Sequence, residues 1–194
     1  MILRGLFREG RVNTALNLFS ELEALGTSPN EYTYTTVLDG MCKNGRLEEA
    51  VNLVESMKER IAPDLSMYTA LLNGFFRNGK LEEAQRLFAD LRTKGLEPDV
   101  VAYTSMAQGL IGNKMLLDAR RLVTEMEEKG CQLNAQFYNV LIQGFLEAKD
   151  IENGLLFLNK MRKEGFVPRD SLVSLLCRTL SGDELRCWLD SDKA

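Results

Sequence analysis

The chain has 194 residues, 24 Lys and Arg against 28 Asp and Glu, no histidine, and a formal net charge of −4. No apolar run approaches the roughly 18 residues that a membrane helix needs, and the missing histidine removes Ser-His-Asp and Cys-His nucleophiles and most zinc sites. The four cysteines, Cys42, Cys131, Cys177 and Cys187, form no C-x-x-C pair and read as reduced thiols, while the net negative charge works against bulk attraction to nucleic acid.

From the amino terminus, residues 1–8 read as the end of a helix that Met1 cuts, and 12–25 as a second helix. Arg4, Arg8 and Arg11 stand here, but the apolar stretches are too short for a signal peptide, and no targeting segment is read. Helices follow at 32–43 and 47–60, then at 66–78 and 81–94. In that third pair Tyr68, Leu71, Leu72 and Phe75 fall at i, i+3, i+4 and i+7, one apolar stripe. Asn78-Gly79-Lys80 breaks it, because glycine tolerates the left-handed backbone of a helix exit. Leu81, Ala84, Leu87, Phe88 and Leu91 form the inward face of the partner helix, Gly95 ends it, and Pro98-Asp99 opens the next unit. Further helices are expected at 101–112, 115–129, 136–148, 151–164 and 170–180. Asn113-Lys114 and Lys149-Asp150 stand where Asn-Gly turns occur elsewhere. The second unit lacks the terminating glycine between Arg60 and Ile61, so its exit is expected to be tight. After Ser181-Gly182, residues 183–189 read as a capping helix, with Leu185, Trp188 and Leu189 turned onto the end of the stack.

Single residue types recur along this order. Gly5, Gly40, Gly74, Gly109 and Gly144 form one series, Ala15, Ala50, Ala84 and Ala119 a second, and Tyr34, Tyr68, Tyr103 and Tyr138 a third. Pro29, Pro63, Pro98 and Pro168 account for every proline, with Leu133 at the missing place. The steps are 35 residues except for one of 34, at the same boundary in each series. Series that share one slip define a repeat. The units run 1–30 (truncated), 31–64, 65–99, 100–134, 135–169 and 170–194 (partial, with the cap). A helix pair alone cannot bury both faces, whereas stacked pairs can. The expected fold is therefore all-α, a single α-solenoid array of helix-turn-helix repeats wound into a right-handed superhelix, first helices lining one surface and second helices the other.

Tetratricopeptide repeats run at 34 residues with a Trp-bearing signature that no unit carries. The segments TYTTVLDGMCKNGRLEEAVNL at 33–53, MYTALLNGFFRNGKLEEAQRLF at 67–88 and KGLEPD at 94–99 instead resemble the plain 35-residue pentatricopeptide repeat, from Met1 to about Leu180. That resemblance implies a modular binder of single-stranded RNA, one nucleotide per unit, without catalysis and without a cofactor. It implies work in mitochondria or plastids, in RNA processing, stability or translation. It also implies that the base is chosen by the residue after the repeat's Tyr together with the last residue of the unit. These pairs are Thr35 with Asp64, Thr69 with Asp99, Thr104 with Asn134, and Asn139 with Arg169, while Asn30 alone survives in the first unit and Ser174 has no partner. The implied RNA is 5′-(A/C)GGA(pyrimidine)-3′, with Arg169 departing from the family pattern. Bases are expected to be sandwiched by Tyr32, Ser66, Val101, Gln136 and Ser171. Arg8, Lys43 and Arg77 are expected to meet phosphates, their later equivalents being Gly112 and Glu147.

Other readings of the same residues stand beside these. Asn30, Asp64, Asp99 and Asn134 each precede a helix, and capping worth about 1 kcal/mol apiece accounts for them without RNA. Thr35, Thr69 and Thr104 are β-branched on what is expected to be an exposed helix face, which favours a functional role. A helical scaffold that binds a protein or peptide remains the alternative to RNA, supported by the net acidity. Other repeat proteins, or a second copy meeting the open amino-terminal unit, are further candidate partners, and no membrane association is expected.

Overall fold

The computed structural model describes residues 2–26, 29–57 and 61–182. Among the described residues there are eleven α-helices, one 3-10 turn and no strand. The helices are α1 Ile2–Arg8, α2 Val12–Ala24, α3 Glu31–Lys43, α4 Leu47–Met57, α5 Leu65–Arg77, α6 Leu81–Asp90, α7 Val100–Gly112, α8 Leu116–Glu128, α9 Ala135–Glu147, α10 Ile151–Lys163 and α11 Asp170–Thr179. The capping helix expected at 183–189 and the exit of the second unit at Arg60 lie outside the described residues. No described helix is long and apolar enough to cross a membrane.

One element departs from its expected extent. Helix α6 stops at Asp90, and Arg92–Lys94 form the 3-10 turn. The Thr93 hydroxyl donates to the Asp90 carbonyl at 2.7 Å. That carbonyl is the acceptor an α-helical Lys94 N–H would require. The Lys94 N–H bonds instead to the Leu91 carbonyl at 3.1 Å, which tightens the last turn.

The chain divides into two compact units, one running to Gly109 and one beginning at Leu110. In the first, α1 packs on α3 and α3 on α5, while α2, α4 and α6 pack on the first helix of their own pair. Ala15, Ala50 and Ala84 are fully buried in the seams between pair members. Phe19 meets Tyr34 edge-on at 5.3 Å between ring centroids, and Phe88 meets Tyr103 at 5.2 Å, so the tyrosines join each second helix to the next first helix.

The recurring glycines explain how close the first helices come. A Cβ on Gly40 would stand 2.3 Å from the Phe7 ring, one on Gly74 2.4 Å from Cys42 Sγ, and one on Gly109 2.2 Å from the Phe76 ring. Each glycine is a socket for a side chain from the preceding first helix. In the second unit Gly144 receives Ile111 in the same way, at 2.3 Å. There α9 packs on α10 and α11, and α8 on α9. Phe145 and Phe157 stack at 5.4 Å, and the Tyr138 hydroxyl donates to Glu164 Oε1 at 2.9 Å.

Both Lys turns in the second unit adopt the left-handed conformation, with φ of 61° at Lys114 and 62° at Lys149, where Gly79 of the Asn-Gly turn has 70°. A side chain there is strained by contact of Cβ with the following carbonyl. Lys114→Gly and Lys149→Gly are each expected to raise stability by about 0.5–1 kcal/mol, the relieved strain being partly offset by glycine's larger unfolded-state entropy. Urea unfolding checks this: the midpoint should rise at unchanged slope, and an unchanged or lower midpoint would contradict it.

Candidate functional site

A groove of about 740 Å³ opens in the first unit along α1, α3 and α5. It brings together Arg8, Tyr32, Thr35, Lys43, Ser66, Thr69, Asp99 and Val101, all of them singled out by the sequence. Asn30, Asp64, Arg77 and Thr104 belong to the same unit but do not line the groove. Asn134, Gln136, Asn139, Arg169 and Ser171 belong to the second unit.

Tyr32 and Val101 present large apolar surfaces to solvent, at 64% and 58% exposure. Ser66, Gln136 and Ser171 are exposed as well. All five occupy equivalent places in the first turn of a first helix.

The residues after the repeat tyrosines are not on an exposed face. Thr69 is 7% exposed, Thr104 5% and Asn139 5%, and only Thr35 is half-exposed. Nor are the hydroxyls free to donate. Thr35 donates to the Glu31 carbonyl at 2.9 Å, Thr69 to Leu65 at 2.8 Å and Thr104 to Val100. A β-branched residue here therefore has a local structural use, and what its hydroxyl keeps for a ligand is lone pairs.

The capping reading of the unit-terminal residues is realised. Asn30 accepts from the Thr33 N–H at 2.9 Å, Asp64 from Met67 at 2.8 Å and Asn134 from Phe137 at 2.8 Å. Asp99 Oδ1 accepts from Val101 at 3.0 Å and Ala102 at 2.8 Å. In each case one oxygen is committed to the cap. The second carboxylate oxygen of Asp64 and Asp99, and the amide N–H groups of Asn30 and Asn134, are the remaining polar groups. Arg169 departs again, since it makes no side-chain cap bond.

Charge is distributed unevenly. The groove carries the cations Arg4, Arg8 and Lys43 and the carboxylates Asp39 and Asp99, against the −4 of the whole chain. Lys43 is held by Asp39, one turn away, at 2.5 Å. Arg8 and Arg77 are exposed. Arg4, Asp39 and Asn73 were not singled out beforehand. Asp39 sits one turn beyond Thr35 and Asn73 one turn beyond Thr69 on the same helix face, so helical periodicity would have found them. Asn73 Nδ2 also donates to Ser105 Oγ at 3.3 Å, tying α5 to α7. Among the described residues no group of three His, Cys, Asp or Glu is arranged to hold a metal ion.

Beneath this wall, Cys42 is buried against Gly74. Burial, reinforced by the Asp39 charge and opposed by Arg77, pushes its thiol from 9.0 up to about 11. Folding therefore favours the protonated thiol. The corresponding stability is present below pH 9 and is lost as the pH rises toward about 11.

The repeat-family models match nearly the whole described array. A "PPR repeat family" model covers residues 1–43 and 63–112, a "PPR repeat" model 32–60 and 101–131, and a "Pentatricopeptide repeat domain" model 121–171. A pentatricopeptide repeat-containing protein of Arabidopsis thaliana is 32% identical over 65 residues, which is 34% of this chain and 10% of that protein. A second, described as mitochondrial, is 42% identical over 45 residues, 23% of this chain and 6% of its own length. The chain thus spans about a tenth of the curated relatives or less. Among solved structures, maize PPR10 superposes with a TM-score of 0.66 at 30% identity, over 90% of this chain and 25% of that one. PPR10 in complex with an 18-nucleotide psaJ RNA element gives 0.69 at 27%, over 90% and 29%. The PPR domain of Arabidopsis PRORP1, solved with tRNA, gives 0.67 at 17%, over 97% and 95%, and supports the fold alone. The fold class is that of the helical-repeat α-solenoids.

Two outcomes follow from the site chemistry. Asp99→Ala should cost about 1 kcal/mol through the lost cap whereas Asp99→Asn should cost a few tenths, because an amide oxygen caps nearly as well; equal losses in urea unfolding would contradict the cap assignment. The stability difference between the wild type and Cys42→Ala should narrow as the pH is raised from 9 toward about 11, and a difference constant over that window would contradict the buried neutral thiol.

Proposed function

The chain belongs to the pentatricopeptide repeat family, and we propose from that premise that it binds single-stranded RNA on its first helices, one nucleotide per repeat, without catalysis. The observation that carries this reading is the groove of the first unit. Exposed Tyr32 and Val101, acceptor-bearing Thr35, Thr69 and Asp99, and the cations Arg8 and Lys43 line one cavity. These are the three kinds of group that single-strand recognition uses: flat or apolar surfaces for bases, hydrogen-bonding groups for their edges, and cations for phosphates. The likeness to PPR10, solved with an RNA element, supports it. The net charge of −4 favours the alternative of a protein-binding scaffold, but the groove's own cations outnumber its carboxylates.

The hydrogen-bond inventory supports a particular base order. With the Thr69 proton given to Leu65 and one Asp99 oxygen given to the α7 amino terminus, the pair offers acceptors only. Guanine's Watson–Crick edge, with N–H donors at N1 and N2, suits acceptors. The same holds for Thr35 with Asp64. Asn134, in the second unit, keeps its amide N–H donors after capping, and these suit the N1 acceptor of adenine. The reading is therefore GGA across these three units, within 5′-(A/C)GGA(pyrimidine)-3′. Stacking is worth roughly 1–3 kcal/mol per base, and Tyr32 should contribute most of it. The proposed site of action is organellar, in RNA processing, stability or translation; the family and the relative described as mitochondrial support it.

RNAs that carry GGA should bind at least about tenfold more tightly than the same RNAs with CCU, since each edge match is worth about 1–3 kcal/mol. Fluorescence anisotropy at fixed salt measures this, and equal affinities would sink the base-reading claim. Asp99→Asn should move the preference at the second guanine toward adenine; an unmoved preference would leave Asp99 a cap and nothing more.

A further inference from the structure

In the second unit, the pair that should read the fifth base is already engaged. Asn139 is 5% exposed. Its Nδ2 donates to the Ala135 carbonyl, and its Oδ1 accepts from the backbone N–H of Arg169 at 3.0 Å, thirty residues away. No threonine at the equivalent place reaches so far, because a hydroxyl is one bond shorter and each of the three bonds only to its own helix. The contact also answers a local need. Arg169 precedes α11 and, unlike Asp64, Asp99 and Asn134, has no acceptor with which to cap a helix. Asn139 ties that entry down from α9 instead.

The same unit lacks a cation where phosphates are expected. Glu147 occupies the position of Arg8, Lys43 and Arg77, with Gln143 donating to it at 2.8 Å. Arg169 is exposed, and its guanidinium is not spent on a cap. A fixed carboxylate at Glu147 repels a phosphodiester, and a guanidinium at the unit's end can bind one.

We infer that the fifth repeat does not select a base: Asn139 is a positioning residue that latches the entry of α11, and Arg169 is a phosphodiester contact that replaces the missing cation of its unit. The two bonds leave Asn139 one Nδ2–H and one Oδ1 lone pair, a single donor beside a single acceptor, which every base edge can meet, so no nucleotide gains an advantage there. The inference rests on the RNA-binding reading above and replaces its expectation of a pyrimidine at the fifth place.

The latch is tested without RNA. In hydrogen exchange, Asn139→Ala should speed exchange of the Arg169 amide by at least about tenfold. Asn139→Asp, which keeps the acceptor, should leave it protected and guards against a variant that merely unfolds. An unchanged Arg169 amide in Asn139→Ala would overturn the latch whatever the RNA results. With RNA, four GGA-containing strands differing only at the fifth base should bind within about twofold of one another. Arg169→Gln should weaken all four alike and lower the slope of log K against log salt by about 0.7. A fivefold preference for pyrimidine, or an unchanged salt slope in Arg169→Gln, would overturn the assignment. Failure of GGA to be preferred over CCU would instead count against the RNA reading of the other repeats, and the amide-exchange result would stand apart from it.

Discussion

The first helices can lie against one another only because glycine stands at Gly40, Gly74, Gly109 and Gly144. Each leaves room for a Phe, Cys or Ile from the helix before it, and a Cβ would sit 2.2–2.4 Å from that side chain. Real carbon contacts do not occur at that distance, so any larger residue would push the neighbouring helix away. Buried side chains such as Phe7, Leu72 and Ile142 stabilise by about 1.5–3 kcal/mol each, whereas exposed ion pairs such as Arg121 with Asp118 are worth about 0–1 kcal/mol. The socket contacts and the seams around them therefore govern the stack, and surface charge is left free for other uses.

The same close approach shapes the candidate site. Bringing α3 and α5 together shelters Thr69, whose hydroxyl donates to its own helix as that of half-exposed Thr35 also does. The residue is thereby converted from a general polar group into an acceptor. Capping does the equivalent at the ends of the units. Asp99 gives one oxygen to α7, and what remains is a carboxylate held in a fixed orientation beside Thr69 in one groove. Structural and recognition roles are thus carried by different atoms of the same side chains. An acceptor already oriented by the fold loses little freedom on binding.

Charge follows a similar division. Negative residues dominate the chain as a whole, yet the first unit gathers Arg4, Arg8 and Lys43 along one groove. Asp39 offsets part of this by holding Lys43. In the second unit the equivalent positions turn acidic or neutral at Glu147 and Gly112, and Arg169 stands in their place. The two units present different electrostatics although they repeat the same helical plan.

Much of this was legible in the chain itself. Period, the helices of the described residues, glycine and tyrosine series, and the caps at Asn30, Asp64, Asp99 and Asn134 are local or periodic properties, and side-chain spacing along a helix determines them. The strain at Lys114 and Lys149 was likewise visible as a departure from Asn-Gly. Other features depend on which atoms meet through space. The early end of α6 came from one Thr93 hydroxyl competing for a backbone carbonyl. The burial of Thr69 and Thr104 came from the spacing of neighbouring helices, and the pairing of Lys43 with Asp39 from a rotamer choice on a shared face. The bond from Asn139 to Arg169 joins residues nearly one repeat apart; the repeat register pairs the two, but nothing along the chain marks a bond between them. Sequence by itself determined the repeated unit and its caps, because helix periodicity and capping act over a few residues. Only the tertiary structure decided which polar atoms remain available, because that depends on distances between helices that the chain order does not contain.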